Sequence, residues 1–145
     1  MIALIQRVNA AHVQINNVIV SSINHGTLLF LGIEKQDNEQ KAQRLLERVL
    51  SYRIFEDELG RMNRSLQDIK GDLLVVPQFT LAANTNRGTR PSFSSVAPPD
   101  LARQLFDYFI KEANRIYPKV QQGIFAADME VSLVNHGPVT FWLNT

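Results

Sequence analysis

The apolar positions of the chain change their period several times, and the changes mark out strands and helices. Met1 to Val8 alternates in part, and His12 to Ser22 holds two β-rich runs around Asn16-Asn17, a hairpin signal. After Gly26, the run Thr27-Leu28-Leu29-Phe30-Leu31-Gly32-Ile33 is almost wholly apolar, as in a strand buried on both faces. Ala42, Leu45, Leu46, Val49 and Leu50 then recur at helical spacing, with Lys41, Arg44, Glu47 and Arg48 elsewhere on the cylinder. This predicts a helix from about Glu39, begun by Asp37 or Asn38. Tyr52 to Phe55 is a short strand candidate, and Asp72 to Val76 is another, stopped at Pro77. Asn84 to Pro98 is a polar loop containing Gly and Pro, long enough to suggest function. A second helix is predicted over Pro99–Ile116, with the apolar stripe Leu101, Ala102, Leu105, Phe106, Phe109, Ala113 and Ile116. Pro98 stands where a capping side chain is expected. Met129 to Val134 and Val139 to Leu143 read as closing strands around a turn at Asn135-His136-Gly137-Pro138. The sum is a strand-rich α/β fold with two main helices.

Composition narrows this little. The 145 residues suit one domain, 1–145, with no linker or repeat to divide it, and 45% hydrophobic against 20% charged residues is globular composition. The absence of cysteine excludes disulfides, thiolate metal sites and a cysteine nucleophile. The first residues reach charge at Arg7, too soon for a signal peptide or a membrane span, so a cytoplasmic protein without membrane contact is expected. A net charge of +1 gives no broad electrostatic footprint for nucleic acid, so any RNA contact should be local and brief.

Catalytic side chains are few. No nucleophile elbow or zinc-binding His-Glu-X-X-His motif occurs, and His12, His25 and His136 are scattered along the chain. His12 reads as a strand histidine and His136 as a solvent-facing turn residue. Thr80 is the obvious nucleophile candidate, but a threonine hydroxyl needs a neighbouring base, and neither nearby motif supplies one. A hydroxyl that bonds local groups or substrate is the preferred reading.

Pro77-Gln78-Phe79-Thr80-Leu81 and Asn135-His136-Gly137-Pro138-Val139-Thr140 resemble the two signature motifs of the D-aminoacyl-tRNA deacylase family, Ser-Gln-Phe-Thr-Leu and Asn-X-Gly-Pro-Val-Thr. Met1 to Val8, Glu39 to Phe55, Arg90-Pro91-Ser92-Phe93 and Phe125-Ala126-Ala127-Asp128-Met129 are also similar to family sequence, so the resemblance spans the chain. Pro77 departs from the usual Ser. At that position the chain resembles a related branch with broader action on L-alanyl-tRNA, while Phe79 and the Gly-Pro motif side with the D-specific branch.

The resemblance implies packed sheets forming a barrel-like core with two helices outside. It implies hydrolysis of D-aminoacyl-tRNA, and of glycyl-tRNA mischarged on tRNA(Ala), without cofactor or metal. Gln78, Phe79 and Thr80 are the implied catalytic segment. The Phe79 and Thr80 backbone N–H groups would face the developing oxyanion, Gln78 would shape the site, and a ribose hydroxyl of the RNA would take part. The protein would be a homodimer in which Gly137-Pro138, joined by a cis bond, enters the partner's active site and rejects L side chains. Ala102 is implied as a pocket wall and Arg7 as the support of the Gly-Pro segment, beside the plainer reading of a solvated arginine. Phe125 is a pocket wall or an ordinary core aromatic. Arg87 and Arg90, in the long loop, are candidate phosphate contacts. Two other functions stay open: a relaxed deacylase that also takes L-alanyl-tRNA, and a non-catalytic nucleic-acid-binding dimer.

Overall fold

The computed structural model describes all residues from Met1 to Thr145. Its spine is β1, Ile2–Ile15, one continuous strand rather than two segments. The alternation lapses at Asn9 because this residue is a bulge: Val8 pairs with Asn135 and Ala10 with Val134, two consecutive partners. Asn16 and Asn17 both take positive φ, 49° and 64°, as a two-residue hairpin turn requires. The chain returns as β2, Val18–Ile23, and then β3, Gly26–Gly32. β8, Glu130–Asn144, follows one edge of β1, so β2 and β3 share the other in succession, from Ile15↔Val18 to Ile2↔Gly32.

β6, Asp72–Pro77, adds parallel to β3, and β7, Val120–Gln122, adds parallel to β6. β2 approaches β6 and β7 across the fold, so the six-stranded sheet curls into a nearly closed barrel. Val8, Ala11, Val13, Ile23, Leu28, Leu74 and Val76 fill its inside. The alternate residues, among them Ala3, Ile5, Leu29, Leu31, Leu73 and Val75, meet the helices on the outside. β3 and β6 are therefore buried on both faces, which is why they read as unbroken apolar runs.

The covering layer is α1, Glu39–Ser51, and α3, Pro99–Ile116. Asn38 caps α1 by accepting from the Lys41 N–H at 3.0 Å, and the five predicted residues are those it buries. Asp37, the other cap candidate, is buried instead, taking the Met1 ammonium at 2.6 Å and the Glu34 N–H at 2.7 Å. α3 begins behind Pro98 without any side-chain cap. Its stripe differs from expectation at two places: Ile110 is buried and Ile116 is exposed at the last turn.

Three short elements were not expected: α2, Leu66–Ile69, with a Ser65–Asp68 capping box; the hairpin of β4, Phe55–Glu56, with β5, Met62–Arg64; and β7. Tyr52–Phe55 enters a strand only at Phe55. The two closing strands are a single one, since β8 continues through the segment expected to be a turn.

Tyr117 seals the end of α3 against α2. Its hydroxyl donates to Gly71 O at 2.5 Å, with Leu66 O 3.2 Å away, and burial pushes the phenol above its ordinary value of 10. A raised folded value means this contribution is complete below the unfolded value and is lost as pH rises through the folded one. Tyr117→Phe should cost about 1–2 kcal/mol at neutral pH by stranding a buried carbonyl. Urea unfolding at neutral pH and above about pH 10 checks this: stability should fall less steeply with pH in the variant than in the wild type.

Candidate active site

The site begins where β6 stops. N–H groups along β6 point alternately to its two neighbours: Asp72 N–H to His25 O and Gln78 N–H to Leu31 O on the β3 side, Leu73 N–H to Lys119 O on the β7 side. Position 77 falls on the β7 side. Proline has no N–H to give there, and the β7 ladder ends at Gln122, with the Gly123 N–H on Val75 O as its last bond. The chain then leaves the sheet through a turn at Ile124–Met129, where Ala126 adopts a left-handed φ of 63°. Pro77 thus fits the place where two strands part company.

Beyond Pro77, residues Phe79–Ala82 form one 3-10 turn behind Gln78, closed by Leu81 N–H on Gln78 O at 3.3 Å. The first N–H groups of such a turn, at Phe79 and Thr80, have no acceptor within it, and no side chain caps it. Gly32 allows the turn to lie directly on β3, since a Cβ there would meet Leu81 Cβ at 2.9 Å. Gln78 Nε2 donates to Thr80 Oγ1 at 2.6 Å, so the hydroxyl is engaged by an amide, which cannot act as a base.

Pro77, Gln78 and Phe79 form one wall of a cavity of about 630 Å³; Pro99 and Ala102 of α3 and the turn residues Phe125 and Met129 form another. Most of the lining is apolar, and Asp128 is its one ionisable side chain. Phe125 packs against Phe106 with ring centroids 6.0 Å apart and carries the Arg103 guanidinium 4.8 Å above its ring centre. Phe79 is 58% exposed and packs on Phe93 of the long loop, 5.3 Å between centroids.

A second assembly lies outside this cavity. Gln6 pairs with Thr140 and Val8 with Asn135, so one residue of β1, Arg7, faces residues 136–139 of β8. The extra residues bulge out, and the Gly137–Pro138 bond within them is cis. Asn135 closes the base of the bulge: its Oδ1 accepts from Val139 N–H at 2.7 Å, and its Nδ2 donates to Thr140 Oγ1 at 3.0 Å. Arg7, only 4% exposed, braces it from below, with Nε on His136 O at 2.8 Å, Nη1 on Ile54 O at 2.9 Å and Nη2 near Glu56 at 3.5 Å. Asn, Thr and Arg at these positions are explained by the bulge itself.

Residues 4–144 match the family described as D-Tyr-tRNA(Tyr) deacylase. The chain belongs to that family. Among curated relatives, the D-aminoacyl-tRNA deacylase of Proteus mirabilis (strain HI4320) is 57% identical over 143 residues, and that of Haemophilus influenzae (strain PittEE) is 56% identical over 144. In both cases the match covers 99% of each chain. Of solved structures, a c-Myc DNA Unwinding Element Binding Protein superposes with a TM-score of 0.96 at 32% identity, covering 100% of this chain and 99% of the other. A probable eukaryotic D-amino acid tRNA deacylase superposes with a TM-score of 0.88 at 17% identity, covering 99% and 98%, a likeness in fold.

Set on this member of the deacylase family, the expected residues fall in three places. Gln78, Phe79, Ala102 and Phe125 share the cavity, while Thr80 lines a neighbouring hollow of about 560 Å³ beside Trp142 and Asn84. Gly137, Pro138 and Arg7 do not line the cavity of their own chain. Arg7 is a buried brace, not a solvated strand arginine. Arg87 and Arg90 are exposed and form no ion pair. Met129, Asp128 and Arg103 were not singled out in the sequence, although the first two lie within a segment that resembles the family.

Arg7→Ala should destabilise the protein by about 3 kcal/mol, since two backbone carbonyls lose their donor. Arg7→Lys should recover less than half of that, because one ammonium cannot reproduce the fork. Thermal melting measures the loss, and the Gly137 amide resonance reports the bulge. An unmoved resonance in Arg7→Ala would show that the guanidinium does not brace it.

Proposed function

We propose that this protein hydrolyses the ester of D-aminoacyl-tRNA, releasing free D-amino acid and tRNA. Family membership along the whole chain carries the reading. The cavity supports it, since 630 Å³ suits a nucleoside carrying an aminoacyl group. Ala102 and Phe125 serve as walls for the terminal adenosine, and the scissile carbonyl lies at the 3-10 turn.

The reaction requires no nucleophile from the protein. Water adds to the ester carbon, the carbonyl oxygen becomes an oxyanion, and collapse expels the ribose oxygen, which takes up a proton. The Phe79 and Thr80 N–H groups stabilise the oxyanion, each worth about 3–4 kcal/mol in comparable sites. Gln78 holds the turn's shape through Thr80. The vicinal ribose hydroxyl, adjacent to the scissile bond, relays the proton. Neither donor belongs to position 77, so Pro77 leaves this arrangement intact.

Selectivity by chirality comes from the partner subunit. In a homodimer the Gly137-Pro138 bulge of each chain enters the other's cavity, and its carbonyls hold the substrate ammonium so that an L side chain meets main chain. A D side chain points to solvent, and glycine, having no Cβ, is cleaved as well. The absence of Gly137 and Pro138 from their own cavity favours a contribution in trans. Main chain pinned by Arg7 and Asn135 cannot yield by a rotamer change.

Matched D-tyrosyl-, L-tyrosyl-, glycyl- and L-alanyl-tRNA test the reading. Rapid cleavage of the D and glycyl esters with L-tyrosyl- and L-alanyl-tRNA intact is expected. Equal rates on D and L esters would establish the relaxed activity. Retarded RNA or DNA with no cleavage would leave a nucleic-acid-binding protein; binding of a DNA element is the function for which the c-Myc DNA Unwinding Element Binding Protein is named.

Ala102→Phe should reduce turnover at least about hundredfold with little change in melting temperature, because the new ring fills the cavity. Retained turnover would remove Ala102 from the site. Gly137→Ala should lower discrimination between D and L esters by about tenfold or more. Its Cβ would lie 2.6 Å from Val139 Cγ2 and 3.1 Å from Arg7 Nη2, at a φ of 139° that L residues rarely adopt. Competition assays with paired esters give the ratio directly.

A further inference from the structure

Arg103 stands out among the cations of the chain. It lies in the first turns of α3, next to Ala102 of the cavity wall, with its side chain exposed. None of the ion pairs in the structure includes it, although Asp100 and Asp107 share its helix one turn to either side. Its guanidinium instead lies 4.8 Å from the centre of the Phe125 ring, and that ring lines the cavity. Stacking fixes the planar group at the cavity's edge and leaves its N–H donors free to face outward.

The charge has a task there if the cavity takes the end of an RNA. A nucleoside fills the cavity, so the phosphate preceding it in the chain falls at the rim. The one ionisable group of the lining, Asp128, repels that phosphate. A free, oriented guanidinium offsets the repulsion and offers two parallel donors to phosphate oxygens.

We propose that Arg103 binds the phosphate preceding the terminal nucleoside of the substrate RNA, and so sets how far the 3′ end enters the cavity. This rests on the deacylase reading and adds to it a residue that distinguishes an RNA ester from a nucleoside ester. Phe125 thereby touches both the cavity and the cation.

Arg103→Gln and Arg103→Lys, both at an exposed position and so without a folding penalty, test this on two substrates. D-tyrosyl-tRNA carries the phosphate, and D-tyrosyl-adenosine does not. On the tRNA, Arg103→Gln should raise KM about tenfold with kcat within about twofold, and reduce the slope of log KM against log salt by about one. Arg103→Lys should keep the salt slope. On the adenosine ester Arg103→Gln should match the wild type. Equal losses on both substrates would mean that Arg103 only packs Phe125, and unchanged KM on tRNA would deny the contact; either overturns the proposal. A wild type that cleaves neither ester removes the deacylase reading and this proposal with it.

Discussion

The guanidinium of Arg7 sits beneath the Gly-Pro bulge of a sheet filled mainly by aliphatic side chains, where a charge is tolerated only if its donors are occupied. Two of its nitrogens meet the carbonyls of Ile54 and His136, and a third approaches Glu56. The first carbonyl belongs to the connection after α1 and the second to β8, so one side chain fastens two distant stretches at the same level of β1. Residues 136–139 can leave the regular ladder only because this group takes over where backbone pairing fails. Asn135 completes the support from the other side, its amide standing in for the ladder bonds.

The same economy governs the cavity. Its wall at Pro77–Phe79 is the end of a parallel strand, whose position is set by β3 on one side and β7 on the other. The opposite wall is a helix face and a tight turn with Ala126 held in a left-handed conformation. Four alanines, Ala97, Ala102, Ala126 and Ala127, leave the space open between the larger apolar side chains of Phe79, Phe125 and Met129.

Much of this is legible in the sequence. α1 and α3 have periodic apolar stripes over several turns, and both begin where their caps or Pro99 indicated. The β2 hairpin was announced by Asn16-Asn17, and β3 and β6 by continuous apolar runs. The elements that escaped, α2, β5 and β7, span three or four residues each, too few for any period to register. The continuity of β8 escaped for a different reason. Gly and Pro ordinarily end strands, and here Arg7, bonded to His136 129 positions away in the chain, lets the strand carry them as a bulge. The site residues themselves came from resemblance to the family. Composition alone cannot distinguish Gln78 or Ala102 from their neighbours, because an amide or a methyl side chain signals no particular chemistry. Arg103 escaped because its meaning depends on a ring 22 positions later, Phe125.

The bulge also has an imidazole on its flank. His136 lies within it, and the ring of His25 stands 6.1 Å away, edge-on to Phe55 at 5.4 Å. With only three histidines in the chain, their ring protons form a sparse and readily assigned part of a proton spectrum. The ring current of Phe55 sets His25 apart from the others. The protein thus carries its own unlabelled reporter on the Gly-Pro segment, able to register displacement of that segment in solution as a change in two aromatic signals.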